Sequence, residues 1–226
     1  MAGTMIEFAA NGRQVPGWYV PAAGGTGPGL VVIQEWWGLV GHIKDVAERF
    51  AAAGFTVLAP DLYHGQATTS PDAAGKLMMA LNIAEAAADI RGAAAYLLAQ
   101  PATSSARVGV LGFCMGGQLA LYAGLAHPDV FGAVVDFYGI HPNAPVQPAD
   151  ARIPVLGHFG VHDASVPLEQ VHALFDGLRA AGVEAVAHEY DAGHAFFNDA
   201  RPQVYAKAEA ELAWSRSVEF LRRHLG

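Results

Sequence analysis

The chain has 226 residues, 53% hydrophobic and only 15% charged, a composition that predicts one compact domain over residues 1–226 and excludes a disordered or linker-rich protein. Its formal net charge of −8 disfavours nucleic acid or an anionic membrane surface as a partner. A single cysteine removes disulfides and cysteine-rich metal sites from consideration.

Residues 6–10 and 14–20 are strand-like and flank Asn11-Gly12, a pair suited to a tight hairpin turn, so antiparallel edge strands are expected at the start. A glycine-rich loop over 22–29 follows, then a strand at 30–34, a helix at 43–53 and a strand at 56–59. One long helix is expected over 72–99. A strand at 107–111, a helix at 115–126 and strands at 132–137 and 155–159 come next, before a helix at 168–181, a strand at 185–190 and a helix at 204–225. Gly54, Gly182 and Gly226 stand where helix C-terminal caps belong. The strand and helix alternation predicts an α/β fold: a mostly parallel, doubly wound sheet with antiparallel N-terminal edge strands. No apolar run approaches the ~18 residues of a membrane span. Residues 1–7 lack the basic and then apolar pattern of a secretory signal, so a cytoplasmic location is expected.

The sole cysteine lies in Gly112-Phe113-Cys114-Met115-Gly116, at the junction between the strand at 107–111 and the helix at 115–126. This is the pattern of a nucleophile elbow with sulfur in place of the usual serine oxygen. The sharp turn exposes the nucleophile, and the flanking glycines keep side-chain bulk away. The helix starting just after it aims the Met115 N–H at an oxyanion and favours a thiolate. A lone cysteine is often a small buried hydrophobe, but the glycine bracket at this junction favours a nucleophile.

A cysteine elbow needs a base and a carboxylate to orient it. His194, in Asp191-Ala192-Gly193-His194, follows the last strand, on the sheet edge where Cys114 also emerges. Asp163 follows the strand at 155–159 and gives the order Cys, Asp, His, the chain order of α/β-hydrolases. Asp136, at the end of the preceding strand, is the rival; its alternative role is a structural acid bonded to loop backbone. Asp191 reads as a turn residue.

Glu35 ends the apolar strand at 30–34, in Gln34-Glu35-Trp36-Trp37-Gly38, where a serine hydrolase of this fold carries an oxyanion-hole loop. The Trp36 N–H is the candidate second oxyanion donor. Trp37, Tyr63, Phe196 and Phe197 are the candidate substrate-binding residues, forming an aromatic, mostly apolar pocket. His158 and His162 have a four-residue spacing, but on a strand leading into a loop that spacing does not place them on one face. No metal or cofactor is predicted.

Gln34-Glu35-Trp36-Trp37-Gly38, Gly112-Phe113-Cys114-Met115-Gly116-Gly117, His162-Asp163 and Gly193-His194-Ala195-Phe196-Phe197-Asn198-Asp199 together resemble the dienelactone hydrolase (carboxymethylenebutenolidase) family, in order and over nearly the whole chain. The resemblance implies an α/β-hydrolase fold and a triad of Cys114, His194 and Asp163, with Glu35 beside the sulfur at rest. It also implies that Glu35 takes the thiol proton when substrate binds, and that a lactone or short ester opens through a thioacyl enzyme. A broad carboxylesterase or thioesterase using the same triad, and a silent hydrolase fold serving as a binding module, are the competing readings. The partner expected is a small ester or lactone; monomer and homodimer are equally open.

One position departs from the pattern. Well-studied members of the family hold the substrate carboxylate with two arginines, one of them four residues after the catalytic histidine, where this chain has Asn198. Between Tyr63 and Ile90 there is Lys76 but no arginine, and Arg201 lies further along. With the charge of −8, this predicts a preference for neutral esters over carboxylate-bearing lactones.

Overall fold

Two antiparallel strands, β1 (Thr4–Ala10) and β2 (Arg13–Val20), open the chain. Asn11 and Gly12 between them have φ of 51° and 73°, the two positive angles that a tight right-twisted hairpin requires. The computed structural model describes residues 2–141, 144 and 146–226. Strands β3 (Gly29–Ile33), β4 (Thr56–Pro60), β5 (Val108–Phe113), β6 (Phe131–Phe137), β7 (Val155–Gly160) and β8 (Ala185–Tyr190) complete an eight-stranded sheet in the order β1-β2-β4-β3-β5-β6-β7-β8. Pairing is antiparallel from β1 to β4 and parallel from there to β8.

Every residue of β3 to β7 is buried, as continuous apolar runs must be when helices cover both faces of a parallel sheet. Helices α3 (Ile83–Leu98), α4 (Met115–Ala126) and α5 (Leu168–Ala180) pack on one face, closing a core around Ile90, Leu119 and Phe175. On the other face, α1 (Gly41–Ala52) and α6 (Lys207–Leu225) close a second core around Phe50, Val135 and Leu221. Gly54 and Gly182 take φ of 99° and 85° just past α1 and α5, ending both helices.

The helix expected over 72–99 is two helices, α2 (Pro71–Ala80) and α3. The break has a local cause. Asn82 is extended, and its side-chain oxygen accepts from the N–H groups of Ala84 and Glu85, so the chain caps a new helix instead of continuing the old one. The C-terminal helix starts at Lys207, because Val204 and Tyr205 both donate to the Arg201 carbonyl in a turn that precedes it. Among the described residues no helix is long and apolar enough to cross a membrane.

Right-handed crossovers between parallel strands bring the loops after β3, β5, β6, β7 and β8 to one edge of the sheet. Glu35, Cys114, Tyr138, Asp163 and His194 are carried on those loops.

Candidate active site

Cys114 sits between β5 and α4 with φ 55° and ψ −121°, a conformation that costs a non-glycine residue on the order of 1–3 kcal/mol. The turn around it is over-determined. The Cys114 N–H donates to the Phe137 carbonyl at 2.9 Å, and its own carbonyl accepts from Gly117 at 3.0 Å and Gln118 at 3.3 Å. A Cβ on Gly112 would overlap the Gly116 carbonyl, and one on Gly116 would overlap the Gln34 carbonyl, so only glycine lets strand and helix meet this closely. The N–H groups of Trp36 and Met115 find no backbone acceptor among the described residues, and both residues line the cavity at Cys114.

His194 Nδ1 lies 2.6 Å from Asp163 Oδ2. The other oxygen of that carboxylate accepts from the backbone N–H groups of Ser165 at 2.8 Å and Val166 at 3.2 Å, so the side chain has no freedom to turn away. Burial works against a charge on the His194 ring, but its bonds to Asp163 and Cys114 outweigh this and push its pKa up to about 10. Asp136 is elsewhere: fully buried, it accepts from the Gly139 N–H at 2.9 Å, and burial holds its carboxyl far above the usual carboxylate range. The structure therefore pairs the histidine with Asp163.

Glu35 is 1% exposed. Its Oε2 accepts from Asn198 Nδ2 at 2.8 Å, while Oε1 has no partner among the described residues. Burial raises its pKa to about 7, against the opposing pull of Asn198, His194 and Arg201.

These groups border a cavity of about 260 Å³ walled by Trp36, Trp37, Met78, Met115, Tyr138, Ile140 and Val166. Trp37 is where the sequence places it, but Tyr63, Phe196 and Phe197 do not line this cavity. Tyr63 walls a neighbouring one and donates its hydroxyl to Met115 Sδ at 3.4 Å. Ala195, at φ 62°, turns the two phenylalanines inward, where Phe197 stacks on Phe113 at 5.3 Å and Phe196 packs on Tyr190 at 5.0 Å.

Two residues outside the expected substrate-binding set line the cavity: Tyr138, which sequence reasoning did not single out as a site residue, and Arg201, which it named with Lys76 as a cation that it could not place. Tyr138 has φ 44° and sets its ring edge-on to His194 at 5.1 Å. Its position at the C-terminal end of β6, on the edge that carries Cys114 and His194, was the available signal. Arg201 lines the cavity with its guanidinium 5.2 Å from the Trp37 ring and makes no ion pair with a carboxylate among the described residues. Lys76 is not among the lining residues. His158, of the His158 and His162 pair, is buried between the Tyr190 hydroxyl at 2.7 Å and Ser217 Oγ at 2.9 Å.

The sequence profile of the dienelactone hydrolase family matches residues 18–225. The chain belongs to the dienelactone hydrolase family. Its relatives include Protein usf of Aquifex pyrophilus, 34% identical over 230 residues covering 99% of each chain. Another, from Aquifex aeolicus, is provisionally named carboxymethylenebutenolidase and is 31% identical over 99% of each chain. Among solved structures, one from Klebsiella pneumoniae, provisionally named a dienelactone hydrolase, superposes with a TM-score of 0.88 at 28% identity, covering 97% of this chain and 98% of that one. Family membership makes the chain a hydrolase of the α/β-hydrolase fold.

Proposed function

We propose that the protein opens small lactones or short carboxylic esters with Cys114 as nucleophile, His194 as acid and base, and Asp163 as the group that orients the histidine. The observation that carries this reading is the 2.6 Å contact of His194 with Asp163 beside a cysteine held in an elbow. The Cys114 thiolate attacks the carbonyl carbon, and the negative oxygen formed is met by the N–H groups of Trp36 and Met115. Collapse of that adduct breaks the carbonyl C–O bond. The leaving oxygen takes the His194 proton and a thioester on Cys114 remains. Water, losing a proton to His194, attacks the thioester carbonyl; the second collapse releases the acid and restores the thiolate. Glu35 Oε1, without a partner among the described residues and near neutrality in its proton affinity, suits acceptance of the resting thiol's proton.

Arg201 adds a further element to this reading. The expected preference for neutral esters depends on no cation reaching the pocket, and Arg201 lines it. A substrate carrying a carboxylate therefore has a counter-charge over Trp37, and we propose that such lactones are accepted.

The test is intact-protein mass spectrometry after brief mixing with p-nitrophenyl acetate at low pH, followed by peptide mapping. A transient acetyl group on Cys114 is expected. Turnover with no acyl group on Cys114, or acylation at another residue, would reject the mechanism. A panel of lactones, oxyesters and thioesters then ranks the substrate classes.

A further inference from the structure

The motif from Gly193 to Asp199 ends on a residue that the proposed reaction does not use. Asp199 reaches across to α1: its Oδ1 lies 3.2 Å from His42 Nδ1, and its Oδ2 accepts from Arg49 Nη1 at 3.3 Å. His42 and Arg49 are two turns apart on that helix and so share a face. Both are held independently of Asp199. His42 is buried with its ring 6.2 Å from Phe113, and the Arg49 guanidinium lies 5.3 Å from Phe197 and 5.6 Å from Trp214, with Asp45 at 3.2 Å. The clamp is therefore built on side chains that cannot easily follow the loop.

The segment it holds is short and internally tied. Asn198 donates to the Ala195 carbonyl at 2.9 Å, Ala200 donates to Asn198 Oδ1 at 3.2 Å, and Arg201 donates to the Asn198 carbonyl at 3.1 Å. Displacement of Asp199 thus carries Asn198 and Arg201 with it. Asn198 makes the one side-chain bond to Glu35 among the described residues, and Arg201 is the cation over Trp37. Because α1 follows the loop that carries Glu35, the clamp joins the two sides of the Asn198 to Glu35 contact a second time.

We propose that Asp199 is a positioning residue: by anchoring the 198–201 turn to α1 through His42 and Arg49, it holds the Asn198 amide on Glu35 and the Arg201 guanidinium over the pocket. The inference deepens the function proposed above and rests on the role given there to Glu35. The charged and titratable groups that face Glu35 are His194, Arg201, Tyr138 and Cys114, and those that face Asp199 are His42 and Arg49, the latter shared with Asp45. Releasing the turn removes a hydrogen bond from the Glu35 carboxylate and moves a cation away from it, and both changes disfavour the charged form.

The experiment is a pH titration of the Glu35 carboxyl carbon by NMR in protein labelled with ¹³C at glutamate, without substrate, so its result is independent of whether the enzyme hydrolyses esters. Asp199→Ala should move the Glu35 midpoint upward by about one pH unit, the effect of weakening one hydrogen bond to a charged group. Asp199→Asn, which keeps an acceptor for His42 but loses the charge facing Arg49, should move it by a smaller amount in the same direction. In an Asn198→Ala background most of the Asp199→Ala shift should vanish, because the effect runs through the amide. An unchanged midpoint with a lowered Tm would make Asp199 a structural residue only. A downward shift, or the full shift persisting without Asn198, would overturn the proposal. If Asp199→Ala does not fold, Asp199→Asn alone and in the Asn198→Ala background decides the matter by the same outcomes.

Discussion

Replacing Glu35 by glutamine should stabilise the protein strongly at alkaline pH and only slightly in mild acid. Glutamine has nearly the same shape and keeps an oxygen to accept the 2.8 Å bond from Asn198, so packing is conserved while the charge is removed. The Glu35 pKa is raised to about 7 from an ordinary 4.5, chiefly by burial. A group whose folded value is raised contributes stability that is fully present below the unfolded value and is lost as pH rises through the folded one. The interval from 4.5 to about 7 is therefore the window in which the native enzyme loses stability on account of Glu35. Carried through the two-state linkage relation, the loss is about 1 kcal/mol at pH 5 and about 3 kcal/mol at pH 8.5. The advantage of the glutamine variant should accordingly be about 2 kcal/mol greater at pH 8.5 than at pH 5. For a chain of this size that corresponds to a Tm advantage larger by roughly 4–8 °C. Thermal melts of both proteins at the two pH values, compared as differences, cancel every titration that the variants share. A Tm difference that is equal at the two pH values within about 2 °C, or larger at pH 5, would show that Glu35 is not a buried acid titrating near neutrality.

Cys114→Ala should keep the fold and abolish ester hydrolysis in a p-nitrophenyl acetate assay, while Cys114→Ser should fold and turn over far more slowly than the parent, because the site is arranged around a thiolate. Activity of the alanine variant within tenfold of the parent would remove the nucleophile assignment. Asp163→Asn should cost on the order of 10³–10⁴ in kcat by leaving His194 in the wrong tautomer, whereas Asp136→Asn should shift Tm and leave kcat within tenfold; the reverse pattern would exchange the two acids. Arg201→Ala should lower kcat/KM for a carboxylate-bearing lactone by about one to two decades and leave a neutral lactone within threefold. Equal losses on both substrates would mean that Arg201 supports the pocket wall and not the substrate's charge.

The fold was legible because its two signals are independent and agree. Buried parallel strands such as β3 and β5 are continuous apolar runs that no solvated strand would tolerate, and the helices between them carry an apolar face. The error over 72–99 came from an alanine-rich stretch whose helix propensity is high on both sides of Asn82. Propensity sums over a window and does not register a single side chain that can cap. The Asn82 to Glu85 spacing did hold the information: at the helix start the Glu85 N–H donates to Asn82 Oδ1 at 3.2 Å and Asn82 Nδ2 donates to Glu85 Oε1 at 3.2 Å.

In the site, what could be read was what local sequence determines. A cysteine between glycines, a histidine after the last strand and an acid after the strand before it are all placed by chain order and by the sheet edge where loops collect. The pocket wall follows a different rule, because aromatic type says nothing about which way a loop turns. Phe196 and Phe197 look like pocket residues until the positive φ of Ala195 sends them into the core, and Tyr138 reaches the pocket through a similarly unusual backbone angle. Arg201 could be named as a candidate cation but not placed, for the same reason. A compact turn from Ala195 to Arg201 brings its guanidinium over Trp37, seven residues after His194, where no fixed motif spacing places a cation. On the proposed function, a neutral Asn198 on Glu35 and a cation three residues later divide between two side chains the tasks of restraining a buried acid and meeting a substrate's charge. That division explains how the pocket can keep Glu35 near neutrality in its proton affinity while still presenting a positive group to a ligand. An arginine bonded directly to Glu35 would hold the acid ionised and spend its own charge doing so.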